Sequence, residues 1–284
     1  AKGETLVLFG PSGAGKTVLL RLIAGVIEPD AGQIFVNGVN MDGVEPEDRG
    51  IGMAFQNFAL FPHMDAFANI ASPLTARGQS KSVMKQTVDQ VAKLLKIDHV
   101  LHHKPKELSN GQKQRTALAR ALAAQPSILL LDDPLRNVDA KLRFEMRLEL
   151  PRLLKDQNAT VIYVTQDYKE AMALGHRIAV MNNHGIQQIG TPRDIYRHPR
   201  NRFVAEFIGE TNLFTVKVER VDGDTALTRT ADGVELLLPA LGRQPGESLT
   251  AILRPADFTI SSQGIPGTVT RAVYLGSDLH LIVK

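Results

Sequence analysis

The sequence predicts an α/β domain followed by a smaller all-β domain, and three observations carry that prediction. Short continuous apolar runs alternate with helix-spaced segments through most of the chain. A glycine-rich turn joins the first of those runs to an apolar helix. From about residue 205 the texture changes to short alternating strands with polar turns. Strands covered by helices on both faces read as unbroken apolar runs rather than as alternation, so the sheet of the first domain is expected to be largely parallel.

The elements follow in order. Thr5–Phe9 is a buried-strand pattern, and residues 18–24 form an apolar helix ended by Gly25 and then Pro29. Residues 33–36 start another strand, closed by Asn37 and Gly38. Residues 81–95 have helical spacing in Val83, Met84, Val88, Val91, Leu94 and Leu95. Residues 112–124 form an alanine- and leucine-rich helix, and residues 127–132, 160–165 and 178–181 are buried strands. Residues 141–157 are amphipathic but contain Pro151. An interior proline costs a helix about 3 kcal/mol, which predicts a kink or a restart with Pro151 in a first turn. Beyond Asn212, residues 213–221, 226–230, 234–238 and 248–253 read as strands. Asp222-Gly223, Asp232-Gly233 and Pro245-Gly246 are their turns, giving a small barrel-like domain reached through residues 190–209. The final LHLIVK stops in mid-strand, which predicts that this domain is incomplete.

Composition narrows the function classes. At 284 residues the chain has room for one large or two ordinary domains, and 43% hydrophobic residues suffice for a real core. No cysteine is present, which excludes a disulfide scaffold and thiolate metal sites. The eight histidines are scattered, and His102 and His103 have no partner at metal-ligand spacing, so they read as surface residues. A formal charge of +3 is too small to argue for nucleic acid. No apolar run approaches the roughly 20 residues that span a bilayer. The opening residues lack a signal-peptide pattern, so any membrane role is expected to be peripheral.

Two motifs carry chemistry. Gly10, Pro11, Ser12, Gly13, Ala14, Gly15, Lys16 and Thr17 match the phosphate-loop pattern, and they lie between a strand and a helix as that mechanism requires. The glycines let backbone N–H groups wrap phosphates, Lys16 reaches the β- and γ-phosphates, and Thr17 holds Mg²⁺. A chance glycine-rich turn is the bland alternative, and the flanking strand and helix argue against it. The second motif is Ser109, Asn110, Gly111 and Gln112, preceding the alanine-rich helix, with Ser109 as its N-cap. Two phosphate-binding helix starts about a hundred residues apart make sense if two chains pair head to tail. Each chain then offers its second helix to the other's nucleotide.

With these motifs the chain resembles an ABC ATPase, and more narrowly the ATPase subunits of sugar-type importers (maltose- or glycerol-phosphate-like) with a C-terminal OB-like regulatory β-domain. The resemblance covers nearly the whole sequence and implies ATP and Mg²⁺ as cofactors. Residues 54–64 resemble the Q-loop, in which Gln56 reaches Mg²⁺ and the attacking water and couples to the membrane subunits. Asp132 resembles the Walker B aspartate, completing a Mg²⁺ set of Thr17, Gln56 and Asp132, and residues 134–139 resemble the D-loop with Asp139. Residues 189–196 and 203–209 resemble the junction into the β-domain, and residues 253–255 a motif inside it. The implied organisation is a nucleotide-binding domain at 1–205, with a helical subdomain near 65–125 that touches the membrane subunits, and a β-domain at 206–284. The implied partners are a second ATPase subunit, two transmembrane permease subunits and an external solute-binding protein, with no nucleic acid. The implied location is the cytoplasmic face of the inner membrane. Family members carry a base-stacking aromatic on strands earlier than residue 1, so no residue here is assigned to that role.

Four departures from the family pattern stand out. The residue after Asp132 is Asp133, where a general-base Glu is usual. Gln166 stands at the switch-histidine position within residues 163–167. Asn110 replaces a glycine of the signature, and Arg136, Asn137 and Val138 replace Ser-Ala-Leu of the D-loop. Asp is shorter than Glu by one C–C bond, about 1.5 Å of reach, and a 1 Å misplacement of a catalytic group costs about a hundredfold. Gln166 donates a hydrogen bond but carries neither proton nor charge near neutral pH. Base and switch fail together, which predicts a degenerate site that binds ATP, hydrolyses it slowly and pairs with an intact, different ATPase. The competing readings are an ordinary homodimeric importer ATPase and a nucleotide-gated regulatory subunit. A soluble ABC ATPase of translation or DNA repair is a further class, usually marked by two cassettes or a coiled-coil insertion. Neither feature is seen here.

Overall fold

The structure is a computed structural model that describes residues 2–156, 159–261, 267–274, 276 and 279–283. The chain separates into two compact units, Ala1–Ile208 and Gly209–Lys284. In the first unit a six-stranded sheet has the order β4-β5-β6-β1-β7-β8. Its strands are β1 (Thr5–Phe9), β4 (Ile51–Ala54), β5 (Ile128–Asp132), β6 (Thr160–Thr165), β7 (Arg177–Asn182) and β8 (Gly185–Gly190). A two-stranded ribbon, β2 (Phe35–Val36) and β3 (Val39–Asn40), turns on Asn37 and Gly38, both at positive φ. The sheet is parallel except for β8, which runs antiparallel to β7.

Register is what positions the site. Phe9 pairs with Thr165, Asp132 with Val164 and Ala54 with Leu131. The carboxyl ends of β4, β5, β6 and β1 therefore finish side by side, and whatever follows each strand meets along one edge. Ligands of open α/β sheets bind outside that edge.

Alternate residues of the strands face two different cores. Leu8, Leu130, Val164 and Ala179 bury one face against Leu20 and Ala24 of helix α1 (Lys16–Ala24). Val7, Phe9, Leu129, Leu131, Val161, Tyr163, Ile178 and Val180 bury the other within the larger core. Full burial of one such aliphatic side chain stabilises by about 1.5–3 kcal/mol. That larger core includes α2 (Ala66–Ala76), α3 (Lys81–Leu94) and α4 (Asn110–Ala123), which pack on one another, and α4 also reaches β4 and β5. Asp65, Ser80 and Ser109 cap these helices with side-chain oxygens.

Helix α5 (Ala140–Asp156) removes the restart alternative for Pro151. One helix runs through the proline, with no restart in which Pro151 would occupy a first turn. Leu142, Met146, Leu150 and Leu154 form a buried stripe along α5, and four such burials outweigh the roughly 3 kcal/mol of an interior proline. Gln157, the end of the predicted segment, lies outside the described residues. Short helices α6 (Tyr168–Leu174), α7 (Pro192–Arg197) and α8 (Arg202–Phe207) complete the first unit.

The second unit is built from β9 (Asn212–Asp222), β10 (Thr225–Thr230), β11 (Glu235–Pro239) and β12 (Ser248–Leu253) in an antiparallel sheet of order β11-β10-β9-β12, with a hairpin of β13 (Val269–Tyr274) and β14 (Leu279–Val283). Its small core comprises Val218, Ala226 and Ala240. The guanidinium of buried Arg254 donates to the Gly209 and Glu210 carbonyls and to Thr211 Oγ1, tying the unit's start to the end of β12. Lys284, the last residue of the predicted terminal strand, lies outside the described residues.

Candidate nucleotide site

The loop from Gly10 to Thr17 leaves the carboxyl end of β1 and enters α1. Gly13 and Gly15 both have φ +84°, a left-handed conformation that only glycine adopts without strain. Gly10 is required for another reason: a Cβ there would lie 2.3 Å from the Met181 carbonyl oxygen of β7. Ala14 is buried, and its N–H donates to the Pro11 carbonyl. Lys16, 5% exposed, donates from Nζ to the carbonyls of Gly10 (2.8 Å) and Pro11 (2.6 Å). Burial pulls the Lys16 ammonium below its ordinary pKa, while Asp133 and Asp132 oppose that shift.

Two carboxylates arrive from the end of β5. Asp132 Oδ1 accepts from Thr17 Oγ1 at 3.1 Å. Burial pushes the Asp132 carboxyl up, against the Thr17 hydrogen bond and the charges of Arg21 and Lys16. Asp133 has φ +50°, and its N–H donates to Val164 of β6. Its carboxyl is also pushed up by burial, with Arg136 the leading opposing charge. Arg136 Nη1 lies 3.9 Å from Asp133 Oδ2. Backbone strain of this kind, about 1–3 kcal/mol, persists only where surroundings hold it, and it clusters at functional sites.

These groups converge on one cleft of about 210 Å³, lined by Ser12, Gly13, Gly15, Lys16, Thr17, Val18, Gln56, Asp132, Asp133, Arg136, Val164 and Gln166. Gln166 is exposed at the end of β6, above a buried network. Tyr163 and Thr165 hydroxyls donate to Glu170 Oε2, each at 2.9 Å, and the Thr165 hydroxyl accepts from Asp167 N–H. Arg147 pairs with Asp167. Burial raises the Glu170 carboxyl despite its two hydroxyl donors.

The comparisons with known proteins agree with this geometry. Residues 1–136 match the ABC transporter family. The spermidine/putrescine import ATP-binding protein PotA of Pseudomonas aeruginosa (strain UCBPP-PA14) is 44% identical over 291 residues, covering 99% of this chain and 80% of that protein. The sn-glycerol-3-phosphate import ATP-binding protein UgpC of Yersinia pseudotuberculosis is 44% identical over 285 residues, 98% of this chain and 78% of that protein. The chain belongs to the ATP-binding subunits of ABC importers. A dimeric ATP-binding cassette solved in a post-hydrolysis state with ADP and Pi is similar in structure as well. Its TM-score is 0.63 at 29% identity, covering 68% of this chain and 87% of that one.

The ABC subunit's signature residues stand apart from the cleft. Ser109 and Gln112 form a reciprocal capping box: Gln112 N–H donates to Ser109 Oγ, and Ser109 N–H to Gln112 Oε1. That occupies two of the N–H groups at this helix start. Asn110 is exposed beside them, and a Cβ on Gly111 would lie 3.0 Å from the Asn137 carbonyl oxygen. Asp139 caps α5 through the Leu142 N–H, and that hydrogen bond lowers its carboxyl pKa.

Two side chains that brace the loops around the cleft escaped sequence reasoning. Gln114, 3% exposed, donates from Nε2 to the Asp133 carbonyl (2.7 Å) and accepts from Asn137 N–H at Oε1 (2.8 Å). It ties helix α4 to two points of the loop between β5 and α5, and nothing in the run of polar residues 112–115 distinguishes it. Arg120 of α4 donates to the carbonyls of Ala59 and Phe58, both at positive φ, and lies over the Phe61 ring. A bulky residue at positive φ is strained, so Arg120 holds the segment after Gln56 in a conformation it would not adopt alone. Among the described residues no His, Asp and Glu group of three could hold a metal by protein side chains alone. Also among them, no helix is long and apolar enough to cross a membrane.

Proposed function

We propose that this chain binds Mg-ATP in the cleft at the end of β1 and powers uptake of a small hydrophilic solute at the cytoplasmic face of the membrane. The relatives' names include a polyol phosphate, within the sugars, polyols and their phosphates that the resemblance implies, and add polyamines to that class. The observation that carries this reading is the convergence of the phosphate loop, Gln56, Asp132, Asp133 and Gln166 on one cleft.

In this reading free backbone N–H groups of the phosphate loop and the Lys16 ammonium hold the phosphates. The hard oxygen pair of Thr17 and Asp132, 3.1 Å apart, suits Mg²⁺, with Gln56 beside it. The ion, when bound, neutralises charge on the terminal phosphate oxygens. Asp133 accepts the proton of the attacking water, and its raised pKa is in the right direction for a base. Its reach is about 1.5 Å shorter than that of Glu, and Gln166 brings no charge. Own-site hydrolysis is therefore slow. Ser109, Gly111 and Gln112 serve the nucleotide of a second, different ATPase subunit, and residues 65–125 dock two permease subunits fed by a solute-binding protein. The β-strands after residue 208 regulate the assembly.

Steady-state ATPase assays of Asp133→Glu combined with Gln166→His test this reading. The double variant is expected to hydrolyse ATP about a hundredfold faster than the parent. An unchanged rate in a folded variant that still binds ATP would sink the claim that Asp133 and Gln166 limit turnover, and would favour a different defect or a purely structural role.

A further inference from the structure

We propose that Arg136 contacts the nucleotide directly, its guanidinium binding the terminal phosphate and so distinguishing ATP from ADP. This rests on the nucleotide reading of the cleft.

The placement is specific. Arg136 lines the same cleft as Ser12, Gly13, Lys16 and Gln166. Its backbone is fixed: its N–H donates to the Asp133 carbonyl, its carbonyl accepts from Arg143, and the next N–H is held by Gln114. The side chain, in contrast, is 55% exposed. At 3.9 Å its link to Asp133 is a through-space charge pair and not a hydrogen bond, so the planar fork keeps donors for a second anion.

The charge balance of the cleft asks for such a cation. With Asp132 given to Mg²⁺, Asp133 still places a carboxylate beside the space a terminal phosphate would fill, and the residue at the end of β6 is neutral Gln166. Lys16 is a point charge held at the root of the loop. A guanidinium matches phosphate oxygens with two parallel donors. Arg136 thus supplies from the loop after β5 the positive charge that the end of β6 lacks. It meets Asp133 when no phosphate is bound and the phosphate when ATP is.

The test is displacement of a fluorescent nucleotide by Mg-ATP and by Mg-ADP, with the full chain, Arg136→Ala and Arg136→Lys. Losing a charge-assisted pair is expected to weaken ATP binding roughly tenfold or more in Arg136→Ala. ADP affinity should stay within about twofold, and Arg136→Lys should fall between on ATP. ATP affinity unchanged in Arg136→Ala overturns the proposal, as does an equal loss for both nucleotides in Arg136→Lys. Retained ADP affinity shows that the cleft is still folded. A parent chain that binds neither nucleotide overturns the reading of the cleft itself, which is a separate result.

Discussion

Replacing Gln114 by alanine removes a side-chain amide that joins helix α4 to the loop after β5. Two buried hydrogen bonds are lost, to the Asp133 carbonyl and from the Asn137 N–H. The two ends are not equivalent. The Asp133 carbonyl still accepts from Arg136 N–H at 3.2 Å, so that end forfeits only a net hydrogen bond of about 1 kcal/mol. The Asn137 N–H loses its side-chain acceptor, at a cost of about 1–3 kcal/mol. The sum is about 3 kcal/mol, and for a unit of this size each kcal/mol lowers Tm by about 2–4 °C. Thermal melts followed by circular dichroism should therefore show a drop of about 6–12 °C. Hydrolysis should fall further than stability implies, because Asp133 at φ +50° loses a restraint on its strained backbone. Gln114→Glu separates the two ends: it keeps an acceptor for Asn137 but sets a carboxylate against the Asp133 carbonyl. A Gln114→Ala variant that melts within about 2 °C of the parent, with unchanged hydrolysis, would refute this reasoning.

Other perturbations have equally definite outcomes. Gly10→Ala drives a methyl group to 2.3 Å from the Met181 carbonyl oxygen, and should lower stability by at least the ~1–3 kcal/mol typical of overpacking, read in urea melts. Arg120→Ala frees the carbonyls of Phe58 and Ala59; amide hydrogen exchange should rise at residues 57–61 and little elsewhere. The Glu170 carboxyl has its folded pKa raised above 4.5 by burial. The native state therefore holds its proton longer than the unfolded chain, and this contribution to stability falls as pH rises from about 4.5 through the folded pKa. Glu170→Gln should flatten that part of the pH–stability curve. Glu4 has the opposite sign: Arg177 holds its carboxyl at about 2, so its contribution is present above about 4.5 and lost as pH falls toward 2. Arg177→Gln should weaken the acid limb of the same curve.

Much of the site was legible because its chemistry is local in sequence. The phosphate loop, Asp132 and Asp133 each follow an unbroken apolar strand, and β1, β5 and β6 have nearly the bounds that their apolar runs predict. What stayed hidden is what depends on tertiary neighbours. Strand β4 carries Gly52, which packs under Pro126, and it has too short an apolar run to stand out. Helix α2 contains Pro73 and has no clean helical period; its Asn69 side chain, fully buried, instead satisfies backbone groups of Phe61, Met64 and Asp65. The restart expected at Pro151 does not occur: the cost of an interior proline is visible in sequence, while the buried stripe that offsets it is not. Gln114 and Arg120 act on backbone atoms 19 to 62 residues away, separations that no spacing rule reaches.

The proposal that the cleft holds ATP well and cleaves it poorly is tested most directly by single-turnover hydrolysis with equilibrium binding in the same samples. With the chain alone, tight Mg-ATP binding and slow phosphate release are predicted, with faster release when a second importer ATPase is added. Rapid single-turnover hydrolysis by this chain as a homodimer would contradict the account.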